Sequence, residues 1–413
     1  MRILVVTQYF WPETFRINDL VSALAGRGHE IVVLTGKPNY PDGRIFDEFS
    51  ASPERFREYR GAEIVRVPLI PRGSGGPIRL TLNYLSFSLV SSILGPWRLR
   101  GREFDAIFVY EPSPVTVGLP AVALSWLKGS PIAFWVLDLW PETLAALGVI
   151  RSKAALRCVG AMVSFIYNRC GIVLVQSRQF IPSILNYLTR PGCTDSVAYF
   201  PSWADPLPPD DGATAAELPW RPDLFTVLFT GNVGEAQDFP SILDAAERME
   251  QEGKIRWVIV GDGRAMNWVR SEVARRGLKT VVLAGRHPVE RMPSFYRHAQ
   301  ALLVTLRPDG VFRLTIPAKV QSYLKAGLPI IGMLDGEGAR VIEEAGAGLT
   351  CPAGDAEALA AAVRRIVSMD PESRAAMGRL GEAYSNREFD RDTLVSRLES
   401  HLAAIRPPGK AAS

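Results

Sequence analysis

Cysteine and histidine are both scarce, with four of each in 413 residues. Cys158, Cys170, Cys193 and Cys351 make no CxxC pair and fall at no metal-ligand spacing, which argues against a structural zinc site or a disulfide framework and favours a reducing compartment. Among the histidines, His29 precedes a β-branched run, and His298 and His401 lie in helical patterns, which leaves His287 as a site candidate. No GxSxG, Walker loop or HExxH is present and no Asp-x-Asp follows a strand, so neither nucleophile-elbow hydrolysis nor a bound catalytic metal is indicated. An excess of one charge is also lacking. Lys and Arg (47) against Asp and Glu (43) leave +4, and the pI near 8.9 is too mild to mark a nucleic-acid binder. Met1 to Thr7 runs directly into Gln8-Tyr9-Phe10-Trp11-Pro12 with no apolar stretch and cleavage site, so a cytoplasmic chain is expected.

Only one uncharged run reaches the minimal length of a membrane span. From Leu80 to Trp97 no residue is charged, and Arg79, Arg98 and Arg100 flank the segment. Thr81, Ser88, Ser91, Ser92 and Gly95 recur at helical spacing and draw a small, mostly hydroxyl-bearing stripe. In order of preference, three readings stand: a buried core helix, a helix lying at a membrane surface, and a span of minimal length.

What is present is an ordinary globular composition, 47% apolar and 22% charged, long enough for two or three domains at roughly 150 residues each. Short β-branched runs alternate with amphipathic ones. Ile3–Thr7, Ile31–Thr35, Ile64–Val67, Ala106–Tyr110, Ile132–Leu137 and Ile172–Gln176 read as buried strands, with Asn18–Arg27 a helix stopped by Gly28. A Pro-, Asp- and Ala-rich stretch, Ala204–Trp220, then breaks the pattern. Phe225–Thr230, Trp257–Val260, Val281–Leu283, Leu302–Leu306 and Pro329–Met333 form a second strand series, with helices at Ile242–Glu252, Ala356–Ser368 (capped by Asp355) and Thr393–Ile405. The fold class is α/β, as two doubly wound parallel-sheet (Rossmann-like) domains facing a cleft.

In such sheets ligands bind beyond the carboxyl ends of the strands. That rule selects Glu13, Arg16, Lys37, Asn39, Glu111, Asp138 and Glu142 in the first half. In the second it selects Gly231–Gln237, Asp262–Arg264, Arg286–His287 and Arg307 through Lys319. The Gly231-Asn232-Val233-Gly234 turn can bring backbone N–H groups to a phosphate, although tight strand-to-helix turns need glycine in any case. Val260-Gly261-Asp262-Gly263 is half a dinucleotide fingerprint without its third glycine, a poor nicotinamide site. Between Arg307 and Lys319, Thr315 can cap a helix, Pro317 suits its first turn, and Lys319 with the helix dipole can meet a diphosphate. The plain alternative is a capped helix with solvated cations. Asp138 ends an apolar strand between Trp135 and Trp140, placed either to bind a hydroxyl or to cap the next helix.

With those residues in view, the chain resembles the family 4 retaining glycosyltransferases of the GT-B architecture, and within them a subgroup similar to colanic-acid and O-antigen fucosyl- and N-acetylfucosaminyl-transferases. The motifs are Gln8-Tyr9-Phe10-Trp11-Pro12-Glu13, Lys37-Pro38-Asn39-Tyr40-Pro41, Asp138-Leu139-Trp140-Pro141-Glu142, Tyr199-Phe200-Pro201-Ser202-Trp203-Ala204-Asp205, Gly231-Asn232-Val233-Gly234 and Ile316-Pro317-Ala318-Lys319. The resemblance implies an acceptor-side domain over 1–203, a linker over 204–220, a nucleotide-sugar domain over 221–385, and a last helix and tail over 386–413 that return to the first domain. It implies a nucleotide-sugar substrate, a UDP-sugar foremost, transfer with retention to a glycan or polyprenyl-diphosphate-linked acceptor, no cofactor and no essential metal. Nucleic acid is not expected as a partner, and the cytoplasmic face of the inner membrane is a candidate surface.

By the same resemblance Asp138 and Lys319 are the catalytic candidates. Gly231, Asn232, Gly234, Gln237, Asp262, Arg286, His287, Arg313, Thr315, Ile316 and Ser322 are assigned to the donor, and Glu13, Arg16, Asn39, Glu111 and Glu142 to the acceptor side. The sequence departs from the family in three places. The family's arginine and lysine of the phosphate turn are replaced by Asn232 and Gln237, its two glutamates fall at Leu314 and Ser322, and its linker asparagine is Ser202. Lys319, with Arg313 or Arg307, must then meet the donor phosphates. A sugar-nucleotide epimerase of the same architecture and a non-catalytic nucleotide-sugar-binding relative remain as alternatives.

Overall fold

The computed structural model describes residues 1–405 except 75, 147, 191–192, 210–220, 222 and 311. Most of the expected linker and the loose tail beyond 405 therefore lie outside the described residues. The chain forms two compact units, Met1–Pro201 together with Leu394 onward, and Ser202–Thr393.

The first unit is built on eight strands: β1 Arg2–Val6, β2 Glu30–Gly36, β3 Glu58–Tyr59, β4 Ala62–Val67, β5 Ala106–Glu111, β6 Ile132–Val136, β7 Ile172–Val175 and β8 Val197–Tyr199. Their order is β3-β4-β2-β1-β5-β6-β7-β8, parallel except for the β3–β4 pair. Strand order reverses between β1 and β5, so the loops after those two strands open the crevice that this topology reserves for ligands. The terminal helix Arg391–Ala404 packs here, burying Leu394, Val395, Leu398 and Leu402 and bonding Glu399 to Arg27 (2.8 Å) and His29 (2.7 Å).

The second unit carries six parallel strands, β9 Phe225–Thr230, β10 Ile255–Val260, β11 Val281–Gly285, β12 Ala301–Thr305, β13 Ile330–Met333 and β14 Gly348–Cys351, in the order β11-β10-β9-β12-β13-β14. Side chains alternate between two cores. Val227, Phe229, Trp257 and Ile259 join one, and Leu228, Val258 and Val260 the other. A sheet buried on both faces has apolar residues at nearly every position, which is why these strands read as continuous runs. The strands that the sequence pattern does not reveal are β3 and β8, two and three residues long and too short for a period to register, and β14, Gly348-Leu349-Thr350-Cys351, which is only partly buried and carries no apolar run.

The uncharged segment corrects the preferred sequence reading. It forms a 22-residue helix, Pro77–Arg98, but it is not wholly buried. Its small residues Ser88, Ser91 and Gly95 face inward, whereas Ile78, Leu82, Leu85, Leu89, Ile93 and Trp97 face outward and are 43% to 79% exposed. The cause is close packing. A Cβ on Gly95 would lie 3.1 Å from a Leu34 methyl, and the Ser88 hydroxyl donates to the Thr116 carbonyl at 3.0 Å. No helix among the described residues is long and apolar enough to cross a membrane.

Candidate functional site

Two turns interlock at the carboxyl edge of the second sheet. After β9, Gly231 N–H donates to the Val260 carbonyl (2.8 Å) and Val233 N–H to that of Asp262 (2.9 Å). Ala265 N–H returns a bond to Val233 (3.0 Å), and Gly261 N–H reaches Gly285 after β11 (2.7 Å). The approach is so close that a Cβ on Gly261, whose φ is +156°, would stand 1.8 Å from the Gly231 carbonyl oxygen, and one on Gly263 would stand 2.3 Å from that of Val233. The glycines of the incomplete fingerprint thus serve turn-on-turn packing.

These turns and the start of the helix Ala318–Lys325 enclose a cavity of about 670 Å³, lined by Gly231, Asn232, Asp262, Arg286, His287, Lys319 and Ser322 among others. Lys319 is its focus. The mostly buried ammonium lies 4.3 Å from the centre of the Phe229 ring, and among the described residues it has no hydrogen-bond or ion-pair partner. Burial pulls its pKa down to about 8. The first-turn N–H groups and dipole of its helix add positive potential at the same place. His287 is held by the Ala284 carbonyl (2.9 Å) against Phe295, and Arg286 and Asp262 are exposed at the rim.

Several expectations are corrected. Of the four amides in Gly231–Gly234, those of Gly231 and Val233 are spent between the turns, and that of Gly234 donates to the Gln237 side chain (3.1 Å). Only Asn232 N–H is left for a ligand among the described residues. Gln237 also accepts from the Asn232 amide group (3.3 Å), so it braces the turn and does not line the cavity. The helix following this turn, Phe239–Met249, opens onto a different cavity of about 420 Å³ with Arg264 and Arg307. Thr315 caps no helix. The N-cap is Pro317, and the Thr315 hydroxyl turns to the Phe312 carbonyl at 3.5 Å because no N–H of the helix lies within its reach. Arg313 is exposed outside the cavity, while Ile316 packs against the core. Ser322 lines the cavity and donates to the Ala318 carbonyl (3.1 Å). Thr230, the last residue of β9, lines it unforeseen, as do Tyr296 and Tyr323, since aromatic residues in helical patterns signal core. The Tyr323 hydroxyl accepts from Thr230 N–H (2.9 Å) and fixes the lysine's helix to the end of β9.

In the first unit, the assigned residues have structural partners. Buried Glu13 accepts from the N–H groups of Phe10 (3.1 Å), Asn39 (2.7 Å) and Tyr40 (2.8 Å), and burial still pushes its pKa up to about 7. Asn39 accepts from Arg72 N–H (3.2 Å), and Arg16 begins the first helix. Glu111 is fully buried, and its carboxyl is held well above the usual range, first by burial and then by Asp138. Half-buried Asp138 donates its own N–H to Glu111 (3.4 Å) and accepts from Thr143 (2.6 Å) and Trp140 (3.2 Å). Glu142 accepts from Ser183 (2.6 Å) and Tyr187 (3.2 Å), while its other oxygen is buried without a partner. Sequence reading missed Arg72, whose guanidinium lies 5.0 Å from the Tyr40 ring centre, and Tyr84, hydrogen-bonded to Ser113 and Tyr9. Among the described residues no group of three or more His, Cys, Asp or Glu side chains forms a metal-ligand set.

Two parallel-sheet α/β units in one chain define the GT-B architecture. The glycosyl transferase 4-like domain family matches residues 14–191, and the family of glycosyl transferases group 1 matches residues 225–369. The chain is a glycosyltransferase of the GT-B type, related to an enzyme of polysaccharide biosynthesis. WbjE of Pseudomonas aeruginosa, assigned as a glycosyltransferase, is 28% identical over 286 residues, 66% of this chain and 68% of its own. WcaI of Escherichia coli K12, assigned as a glycosyl transferase of colanic acid biosynthesis, is 25% identical over 341 residues, 79% and 82% of the two chains. Among solved structures, Anabaena HepE in complex with UDP and glucose aligns with a TM-score of 0.64 at 14% identity, covering 98% of this chain and 100% of that one. Sucrose-phosphate synthase of Thermosynechococcus elongatus aligns at 0.67 and 17%, covering 97% and 98%. At such identities the likeness is one of fold.

Proposed function

We propose that this chain transfers a sugar from a nucleotide sugar, a UDP-sugar foremost, to a glycan or lipid-linked acceptor in cell-surface polysaccharide biosynthesis, with retained anomeric configuration and without a metal. One observation carries the donor half: the unpaired, mostly buried ammonium of Lys319 in a glycine-walled cavity. An unpaired cation there is disfavoured unless an anion arrives, and a diphosphate is the anion that such a cavity at a helix start suits. The UDP complex of HepE and the name of WcaI support the same reading.

In this mechanism the acceptor oxygen bonds to the anomeric carbon on the face from which the nucleoside diphosphate departs. The acceptor proton passes to a diphosphate oxygen as the sugar–phosphate bond breaks. Lys319, the start of its helix and Asn232 N–H meet the charge growing on the leaving group, so catalysis is electrostatic. Arg286, His287 and Asp262 border the nucleoside, and Ser322 offers a hydroxyl to the ribose. The acceptor is assigned to the first unit, where Asp138 orients its hydroxyl.

Calorimetric titration of the chain with UDP, GDP, CDP and ADP, without added metal and beside Lys319→Ala, tests the donor half. Selective binding of one nucleotide, weakened in the variant, selects the nucleotide sugar to assay. Equal binding by the variant removes Lys319 from the mechanism. Conversion of the free donor with no acceptor present marks an epimerase instead.

A further inference from the structure

We propose that the outward face of the Pro77–Arg98 helix docks on an anionic membrane surface, and that the acceptor reaches the first unit from that membrane as a lipid-linked molecule. Six large apolar side chains, Ile78, Leu82, Leu85, Leu89, Ile93 and Trp97, recur three or four residues apart and stand exposed along the whole helix, about 33 Å at 1.5 Å per residue. The patch has a neighbour. Lys128 donates to the Leu99 carbonyl (2.7 Å), so the helix Gly118–Lys128 ends beside this one, and it presents Trp126 and Leu127 at 65% and 67% exposure. A continuous exposed apolar stripe of this kind is an interaction surface and not ordinary surface scatter.

Charge decides what covers it. From Ile64 to Arg102 the chain has no acidic residue and six arginines, of which Arg102 is paired with the Glu63 carboxylate (2.6 Å). Arg66 and Arg72 turn toward the protein, bonding the carbonyls of Gly36 and Trp11 and the Tyr9 hydroxyl. Arg79, Arg98 and Arg100 are exposed at the two ends of the stripe. An apolar face with cations at its ends suits acyl chains beneath anionic headgroups. In an antiparallel two-fold pairing of two copies, the arginine ends would meet one another.

The inner face of the same helix reaches the acceptor-side loops. Asn83 accepts from Gln8 (2.7 Å) and donates to Ile70 (2.6 Å), while Tyr84 bonds Ser113 and Tyr9 after β5 and β1. Docking therefore holds those loops about one helix diameter, roughly 10 Å, from the headgroups, within reach of a sugar or phosphate carried on a lipid. The acceptor part rests on the transferase reading, whereas the docking part does not.

The test is co-sedimentation of the full chain with vesicles of phosphatidylcholine alone or mixed with phosphatidylglycerol. The wild type is expected to bind the mixed vesicles more tightly and to lose that preference at high salt. Leu85→Gln/Leu89→Gln/Ile93→Gln should weaken partition by about tenfold or more with melting temperature and nucleotide binding unchanged. Arg79→Gln/Arg100→Gln should lose the preference for phosphatidylglycerol. Absence of vesicle binding, or equal binding by the triple variant, overturns docking while leaving nucleotide binding untouched. Concentration-dependent dimers that the triple variant abolishes assign the face to a second copy and also overturn it. Vesicle binding without nucleotide binding supports docking and overturns the transferase reading. With the selected nucleotide sugar labelled and total membranes added, label is expected in the chloroform–methanol extract, and label elsewhere or none overturns the lipid-linked acceptor.

Discussion

At the residue scale, Lys319 connects stability to binding. A pKa drawn from 10.5 to about 8 corresponds to roughly 3 kcal/mol at 1.36 kcal/mol per unit, or about 1–3 kcal/mol once residual solvent contact is allowed for. Because the folded pKa lies below the unfolded one, the destabilisation is full below pH 8, shrinks between 8 and 10.5 and is absent above. Lys319→Met should therefore raise thermal stability near neutral pH by about 1–3 kcal/mol while weakening nucleoside diphosphate binding at least about tenfold. A scan and a titration of the same variant read both signs. In the wild type, affinity should fall as pH rises through about 8, by at most about tenfold per unit, with proton uptake on binding near that pH. Calorimetry in two buffers of different ionisation enthalpy detects that proton. Lys319 was legible as a cation in the first turn after Pro317, at the carboxyl rim of the sheet, although the direction of its side chain was not. Gln237 and the amides of Gly231, Val233 and Gly234 were not, because a sequence states which donors exist and not which partners have already taken them.

At the scale of elements, the long strands were legible from their β-branched runs, and the helix Ala356–Ser368 with its Asp355 cap was read to the residue. The Pro77–Arg98 helix was recognised but turned inside out. Hydrophobicity alone places large apolar residues inside, whereas here the packed face is made of Asn83, Phe87, Ser88, Ser91 and Gly95, small residues standing where the neighbours approach most closely. The paired turns after β9 and β10 carry a prediction of their own. Gly261→Ala forces a methyl group against the Gly231 carbonyl at a φ that alanine rarely adopts, so it should cost roughly 2–4 kcal/mol and abolish nucleotide binding. Denaturant unfolding with titration checks it, and wild-type stability would mean that the turns move apart freely.

At the scale of the molecule, each unit has its own sheet and core, so thermal unfolding should show two transitions, with a bound nucleoside diphosphate raising only that of the second unit. Ending the chain before Leu394 removes Leu394, Val395, Leu398, Leu402 and Ile405 from the first unit, a loss of roughly 7–15 kcal/mol of burial before the entropy of ordering the helix is subtracted. The first transition should fall or vanish in that variant, while nucleotide binding by the second unit persists. Differential scanning calorimetry with and without nucleotide separates the two effects.

The return of the last helix means that the peptide crosses from one unit to the other twice, at Pro201–Ser202 and again at Thr393–Leu394. Fragments ending and beginning near 204 would thus not be two independent halves. The carboxyl-terminal piece carries a helical plug for the amino-terminal piece, and the two, expressed as separate polypeptides, should copurify as a reconstituted split enzyme.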